Sequence, residues 1–286
     1  MRKTALTVAF ACTLALAACG GDDASTDNDT APTGDQTAAE CAAGKTLKDG
    51  VLTIATGNPA YEPWVANDDP ASKEGFEAAV AYAVAAELGF ADDAVEWTRT
   101  DFDAAIQPGA KDFDFNLQQY SITDERKQTV SFSDSYYTTN QAIVGLDGSA
   151  AIGADLAAIK KLKLGAQVGT TSLAYITDVI QPDQDPLVYD DNAGAKAALE
   201  AKQIDAAVFD LPTALYVSAV EIEGSSVLGQ FPASEGDADE FGMLFDLDNP
   251  LADCVNIALG TLKDSGALAE ITQKWLSTEV SIPVIE

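Results

Sequence analysis

Apolar positions along the chain fall into short runs and helical stripes that alternate. Val51-Leu52-Thr53-Ile54-Ala55 is an apolar, β-branched run that stops at Gly57, and it predicts a buried strand. Residues 58–74 carry Asn58, Pro59, Pro63, Asp68, Asp69 and Pro70, which predict a loop. Over 75–90 the residues Phe76, Ala79, Val80, Ala83, Val84 and Leu88 recur on one helical face, and Gly89 marks the stop. A strand is predicted from Val95, a short helix over Phe102 to Ile106, and an alternating strand over Phe113 to Leu117. The same grammar returns further on. Strands are predicted at Ala142 to Val144, Lys163 to Val168 and Ile204 to Phe209. Helices are predicted from about Ser172, over Asn192 to Ala201 and over Thr213 to Ala219, and Pro250 to Ser277 reads as helical. Such alternation implies an α/β fold with crossover connections, and 286 residues suit one large domain or two lobes.

The start of the chain has a different pattern. Arg2 and Lys3 precede an apolar stretch from Thr4 to Leu16 that is too short to span a membrane, the arrangement of an export signal. Leu16-Ala17-Ala18-Cys19 then resembles the lipobox of bacterial lipoproteins. That resemblance implies cleavage after residue 18 and a lipid on Cys19; the alternative is an ordinary signal peptide with Cys19 incidental. From Gly20 to Glu40 there is no Val, Ile, Leu, Met or aromatic residue, and six acids meet no base. This stretch buries too little apolar surface to offset its chain entropy, so it reads as a flexible tether with a reach of about 25 Å, and residues 19–44 are assigned to a disordered tether from the lipidated cysteine. Once Cys12 leaves with the signal and Cys19 takes the lipid, Cys41 and Cys254 remain, an even pair in an oxidising compartment. A Cys41–Cys254 disulfide is expected; two buried free thiols are the alternative.

Composition narrows the chemistry. Sixteen Lys and Arg face 46 Asp and Glu, giving a net charge of −30 with no histidine. So acidic a chain does not steer toward nucleic acid or anionic lipid. Without histidine, Ser-His-Asp and Cys-His catalysis are excluded and the commonest metal ligand is missing. No metal, cofactor or catalytic residue is expected. A hydrophobic fraction of 47% is too high for a disordered acidic chain.

Several strings occur in a definite order. They are Asn58-Pro59-Ala60-Tyr61-Glu62-Pro63-Trp64, Glu74-Gly75-Phe76-Glu77, Tyr120-Ser121-Ile122-Thr123-Asp124-Glu125-Arg126 and Phe132-Ser133-Asp134-Ser135-Tyr136-Tyr137, then Gly169-Thr170-Thr171-Ser172, Ile204 to Asp210, Phe241-Gly242 and Asp264 to Leu276. Together they resemble the polar amino-acid binding proteins of ABC importers, solute-binding protein family 3, over nearly all of residues 48–277. The resemblance implies a two-lobed, type II periplasmic-binding-protein clam shell with two hinge strands. Lobe one would comprise residues 45–138 and 243–286, and lobe two residues 139–242. A ligand held between the lobes favours the closed state because it contacts both.

An amino-acid zwitterion leaves water only if both of its charges are paired. Arg126 offers a planar fork for the carboxylate, and Ser121 adds donors from the same turn. Thr170 and Thr171 stand at an expected helix N-terminus that favours an anion. By family match Asp210 takes the ammonium, with Gln119 assisting through its carbonyl. Each has a plainer reading: Arg126 as a surface charge, Asp210 as a cap for the helix from Pro212, and Gly-Thr-Thr-Ser as a cap alone. Tyr61 and Phe102 match aromatic or apolar positions that sandwich the ligand in relatives. Trp64 is assigned to the site, although second-shell packing describes it as well. Asn58 stands where relatives that bind cationic side chains often carry aspartate, a departure that argues against a basic ligand. With Gln118, Gln119 and Gln167 the pocket reads as polar and uncharged. Arg99 is a candidate partner for an acidic side chain, or a surface strand residue.

The expected function is a monomeric extracytoplasmic lipoprotein, anchored to the outer face of the bacterial cytoplasmic membrane. It would bind a polar amino acid, deliver it to the membrane subunits of an ABC permease, and catalyse nothing. The alternatives are a sensing ectodomain that needs a separate partner and a dehydratase-like enzyme on the same fold.

Overall fold

A computed structural model describes residues 36–149, 152–153, 155–231, 239–276 and 281–285. The expected export signal, Cys19 and residues 19–35 of the expected tether lie outside the described residues. The rest of that tether is ordered. Thr37 caps a helix over Ala38–Ala42 in a reciprocal capping box with Glu40. Cys41 on this helix is bonded to Cys254, with Cα atoms 5.3 Å apart. A disordered tether extending to residue 44 is therefore corrected: the bridge and the buried Ala38, Cys41 and Ala42 draw its last residues into the core.

The strands are β1 Leu52–Gly57, β2 Val95–Thr100, β3 Phe115–Asn116, β4 Ser131–Phe132, β5 Tyr137–Thr139, β6 Gln141–Leu146, β7 Leu164–Gln167, β8 Leu187–Tyr189, β9 Ala206–Asp210, β10 Ser225–Gln230, β11 Asp239–Phe241 and β12 Leu244–Phe245. They form two five-stranded sheets, in the orders β2-β1-β3-β12-β4 and β10-β6-β9-β7-β8, and a two-stranded ribbon of β5 with β11. The fold is thus mixed α/β in two lobes, with the first sheet completed by β12 after the second has been built. The ribbon lies where the chain passes between the sheets: β5 leads into β6, and β11 leads back to β12.

Strand β1 is buried along its whole length because parallel partners β2 and β3 flank it and helices cover the sheet. The helix Phe76–Glu87 is buried on more than one face, and its alanines Ala78, Ala81 and Ala85 allow close packing. With helix Leu251–Asp264 it makes the first lobe's core, including Leu52, Ile54, Phe115 and Phe245. Gly75 precedes the first of these helices at φ 99°, and a Cβ there would lie 2.5 Å from the Trp64 carbonyl oxygen, so only glycine fits this approach. The second lobe packs Ile143, Leu164, Ile176 and Val208 on one side of its sheet and Leu199, Ala207 and Phe209 on the other.

The region read as helical from Pro250 holds two helices, Leu251–Asp264 and Ala267–Leu276, separated at Gly266 with φ 82°. One expectation needs correction: residues 243–286 do not all pack on the first lobe. Gln230 N–H donates to Pro283 O at 2.8 Å, Ile285 N–H donates to Gln230 O at 2.9 Å, and Ile285 packs into the second lobe's core. No described helix is long and apolar enough to cross a membrane.

Candidate functional site

The strand ends converge on one cavity of about 400 Å³ between the sheets, a size suited to a small molecule. Strand β6 begins with Gln141 and β9 ends with Asp210, and antiparallel pairing sets these two side by side at the cavity wall. Strand β7 ends at Gln167, followed by the turn Gly169-Thr170-Thr171. From the first lobe, the loops after β1 and β3 contribute Asn58, Tyr61, Gln118, Gln119 and Ser121.

Arg126 lies in a short 3₁₀ turn and is only 8% exposed. Its guanidinium donates to Ser121 O at 2.7 Å and, across the cleft, to Gly169 O at 2.8 Å. Its Cζ lies 5.5 Å from the centre of the Phe102 ring, which stacks on Tyr120. Two of five N–H donors are thereby used, and the others remain available to an anion. Burial lowers the Arg126 pKa, while Tyr120 and Asp239 act the other way. Ser121 Oγ meets Thr171 Oγ1 at 3.1 Å, also across the cleft. Thr170 Oγ1 accepts from Leu173 N–H and donates to Gln167 O, so it caps the helix Thr171–Ala174.

Asp210 caps the helix Leu211–Tyr216 as the plainer reading expects, accepting from Thr213 N–H at 3.0 Å and Thr213 Oγ1 at 2.9 Å. It also lines the cavity, so capping and cleft exposure coexist. Desolvation raises its pKa to about 6, against the lowering effect of the Thr213 donors. Among the described residues it has no ion-pair partner.

Ten of the sequence-derived ligand residues line this cavity: Asn58, Tyr61, Phe102, Gln119, Ser121, Arg126, Gln167, Thr170, Thr171 and Asp210. Trp64 does not. It is 1% exposed, packs edge-on against Phe76, Tyr137 and Phe241, and donates from Nε1 to Thr213 Oγ1 at 2.9 Å. Trp64 therefore stands behind the wall and ties the first lobe to the residue that holds Asp210. Arg99 also lies outside the cavity, paired with Asp68 at 2.5 Å and donating to Gly57 O.

Two site residues are given no role by the sequence patterns. Gln141 accepts from Ser172 Oγ at 2.6 Å and donates to Asp239 Oδ2 at 2.5 Å, which steadies the Thr171-Ser172 turn. Glu77 is 1% exposed and accepts from Gln119 N–H at 2.7 Å, from the Gln119 side-chain amide and from the Tyr136 hydroxyl. It holds Gln119 at φ 53°, in the left-handed region, where the chain turns into the cavity. Its sequence signal was faint: an acid in the first turn of an otherwise apolar helix. The cavity is also less neutral than its amides suggest, since Asp101, Asp103, Asp190, Asp191 and Asp210 line it with Arg126 as the single base among the described residues.

Burial raises the Glu77 pKa to about 7, opposed by its Tyr136 and Gln119 donors and reinforced by Asp210. An unfolded glutamate titrates near about 4.3. Between these values the folded state holds more protons than the unfolded, so stability falls as pH rises through that window. Self-repulsion of an acidic chain gives the same trend, and a variant separates the two. The melting temperature of the ligand-free protein should fall between about pH 5 and pH 8, and fall less in Glu77→Gln. Equal slopes in the two proteins would refute the Glu77 contribution.

The sequence model of the bacterial extracellular solute-binding proteins, family 3, matches residues 52–278. The arginine-binding extracellular protein ArtP of Bacillus subtilis is 26% identical over 291 residues, covering 98% of this chain and 100% of its own. The L-cystine-binding protein TcyJ of Escherichia coli is 28% identical over 225 residues, covering 77% of this chain and 81% of its own. An ancestral arginine-binding protein solved with arginine superposes with a TM-score of 0.66 at 29% identity, covering 80% of this chain and 99% of its own.

Proposed function

Because this chain belongs to family 3 of the bacterial extracellular solute-binding proteins, we infer that it binds an amino acid in the cleft between its lobes. It does so as an exported protein, lipid-anchored through Cys19 at the outer face of the cytoplasmic membrane, and hands the ligand to an ABC permease without changing it chemically. The observation that carries this reading is one cavity with Arg126 on one lobe and Asp210 on the other. The two charges lie on opposite sides of a closing cleft, each with hydrogen-bonding capacity left over. An α-carboxylate completes Arg126 and an α-ammonium completes Asp210, and a molecule carrying both bridges the lobes. Ser121 and Thr171 add hydroxyls at the carboxylate end, and Gln119, held by Glu77, adds its carbonyl near the ammonium. Such a ligand stabilises closure by its differential contacts with the two lobes.

A thermal-shift screen of the purified protein against the twenty amino acids tests this. A ligand at 100 times its Kd adds about 2.7 kcal/mol of stability, so at least one polar amino acid should raise the melting temperature clearly. No response to any of them would remove the reading. The anchor has its own test. Cys19→Ser should move the protein from the detergent phase to the aqueous phase on partitioning, and unchanged partitioning would rule out a lipid on Cys19.

A further inference from the structure

Asp210 is not held by its own lobe alone. The helix that it caps, Leu211–Tyr216, meets the first lobe's loop after β1 at two points. Trp64 Nε1 donates to Thr213 Oγ1 at 2.9 Å, and the Tyr216 hydroxyl donates to Glu62 Oε2 at 2.6 Å. Thr213 and Tyr216 stand three positions apart, so one face of the helix makes both contacts. Trp64 and Thr213 are 1% and 5% exposed, so the first contact is shielded from solvent. The indole is pinned by the rings of Phe76, Tyr137 and Phe241, which gives its N–H a fixed aim.

The chemistry of this contact settles the direction of a proton. An indole N–H only donates, whereas a hydroxyl carries one proton and also accepts. With the Trp64 N–H on its oxygen, Thr213 Oγ1 keeps its own proton to give, and Asp210 Oδ2 lies 2.9 Å away to receive it. Thr213 N–H occupies Asp210 Oδ1 at 3.0 Å. Both carboxylate oxygens then have a donor, which fixes the plane of the carboxylate and favours its ionised form. Without the indole the hydroxyl is free to rotate, and a rotated hydroxyl offers Asp210 a lone pair instead of a proton.

Resting on the zwitterion reading above, we propose that Trp64 is a positioning residue for the ligand's ammonium: without touching the ligand, it orients the Thr213 hydroxyl and, through it, the Asp210 carboxylate of the opposite lobe. The acceptor is complete only while the two lobes are in contact, because the indole comes from the first and the acid from the second. The probes are the amino acid with the largest thermal shift in the screen above and its α-hydroxy acid, which replaces the ammonium with a hydroxyl and keeps the rest. Trp64→Phe keeps the ring packing and removes the N–H. By titration calorimetry, with the hydroxy acid measured by displacement, amino-acid affinity should fall about fivefold to tenfold in Trp64→Phe, and hydroxy-acid affinity by less than about twofold. Thr213→Val should lose at least as much amino-acid affinity, and Thr213→Ser, which keeps the hydroxyl, should stay near the wild type. Trp64→Phe placed in the Thr213→Val background should cost nothing further, since no hydroxyl is left to orient. Unchanged amino-acid affinity in Trp64→Phe, an equal loss for both probes, or additive losses in the double variant would each overturn the positioning role and leave amino-acid binding standing. Wild-type protein that binds the hydroxy acid as tightly as the amino acid would overturn the ammonium site itself. If ligand-free melting shows Trp64→Phe unfolded, the two Thr213 variants decide, and equal amino-acid affinities in them would refute the route through the hydroxyl.

Discussion

Replacing Arg126 with alanine should lower amino-acid affinity by about a hundredfold to a thousandfold, the largest binding effect expected of any single substitution here. Removing one partner of a buried charge pair costs about 2–5 kcal/mol, because the charge left behind has lost its water and its partner. About 1.4 kcal/mol is a factor of ten in Kd. Arg126 has a second role that adds to this loss. Its bond to Gly169 O joins the lobes directly, so the variant also weakens closure. Lysine at this position keeps the charge but not the fork, and a Lys ammonium cannot reach Ser121 O, Gly169 O and a carboxylate in one plane. Arg126→Lys should therefore fall between the wild type and alanine. Titration calorimetry checks both variants, and melting temperatures without ligand show whether the fold has survived.

The second large effect concerns stability. Replacing Cys41 and Cys254 together with alanine should lower the free energy of unfolding by about 2–5 kcal/mol, the usual loss for a native disulfide. The bridge spans a sequence separation of 213 residues, so it restricts the unfolded chain over most of its length. In the folded chain it pins the five-residue helix Ala38–Ala42 to the helix Leu251–Asp264. A five-residue helix is too short to persist without such an attachment. The denaturation midpoint should fall, and ligand affinity should stay near the wild-type value because neither cysteine lines the cavity. An unchanged midpoint would show that the bridge contributes nothing to stability.

Local chemistry made much of this molecule legible. The run from Val51 to Ala55 and the apolar stripe from Phe76 to Leu88 specify their elements with few alternatives, and both lie in the first lobe's core. The turn Gly169-Thr170-Thr171 and the strand end at Asp210 were readable as caps, and capping residues are what the fold places around the cavity. What remained hidden depends on distant partners. Strands β3, β4 and β12 have two residues each, and β12 exists only because Leu244 meets Asn116 and Phe132, more than a hundred positions earlier. No local pattern marks a two-residue strand. Trp64 sits in a string that belongs to the cleft, but packing with Phe76, Tyr137 and Phe241 turns it away. Glu77 is the converse case. In sequence it is one acid on a helix, and only the fold brings it beneath Gln119 and beside Tyr136.

On the proposed reading the cleft grips both charges of an amino acid, the carboxylate at Arg126 and the ammonium at Asp210. The most direct measurement is a titration of the purified protein with its best amino acid, in parallel with that compound's α-carboxamide and N-acetyl derivatives. Each derivative keeps the side chain and removes one backbone charge. Both should bind at least about a hundredfold more weakly than the free amino acid, in line with losing one buried ion pair each. Binding of either derivative as tight as that of the parent would contradict the account.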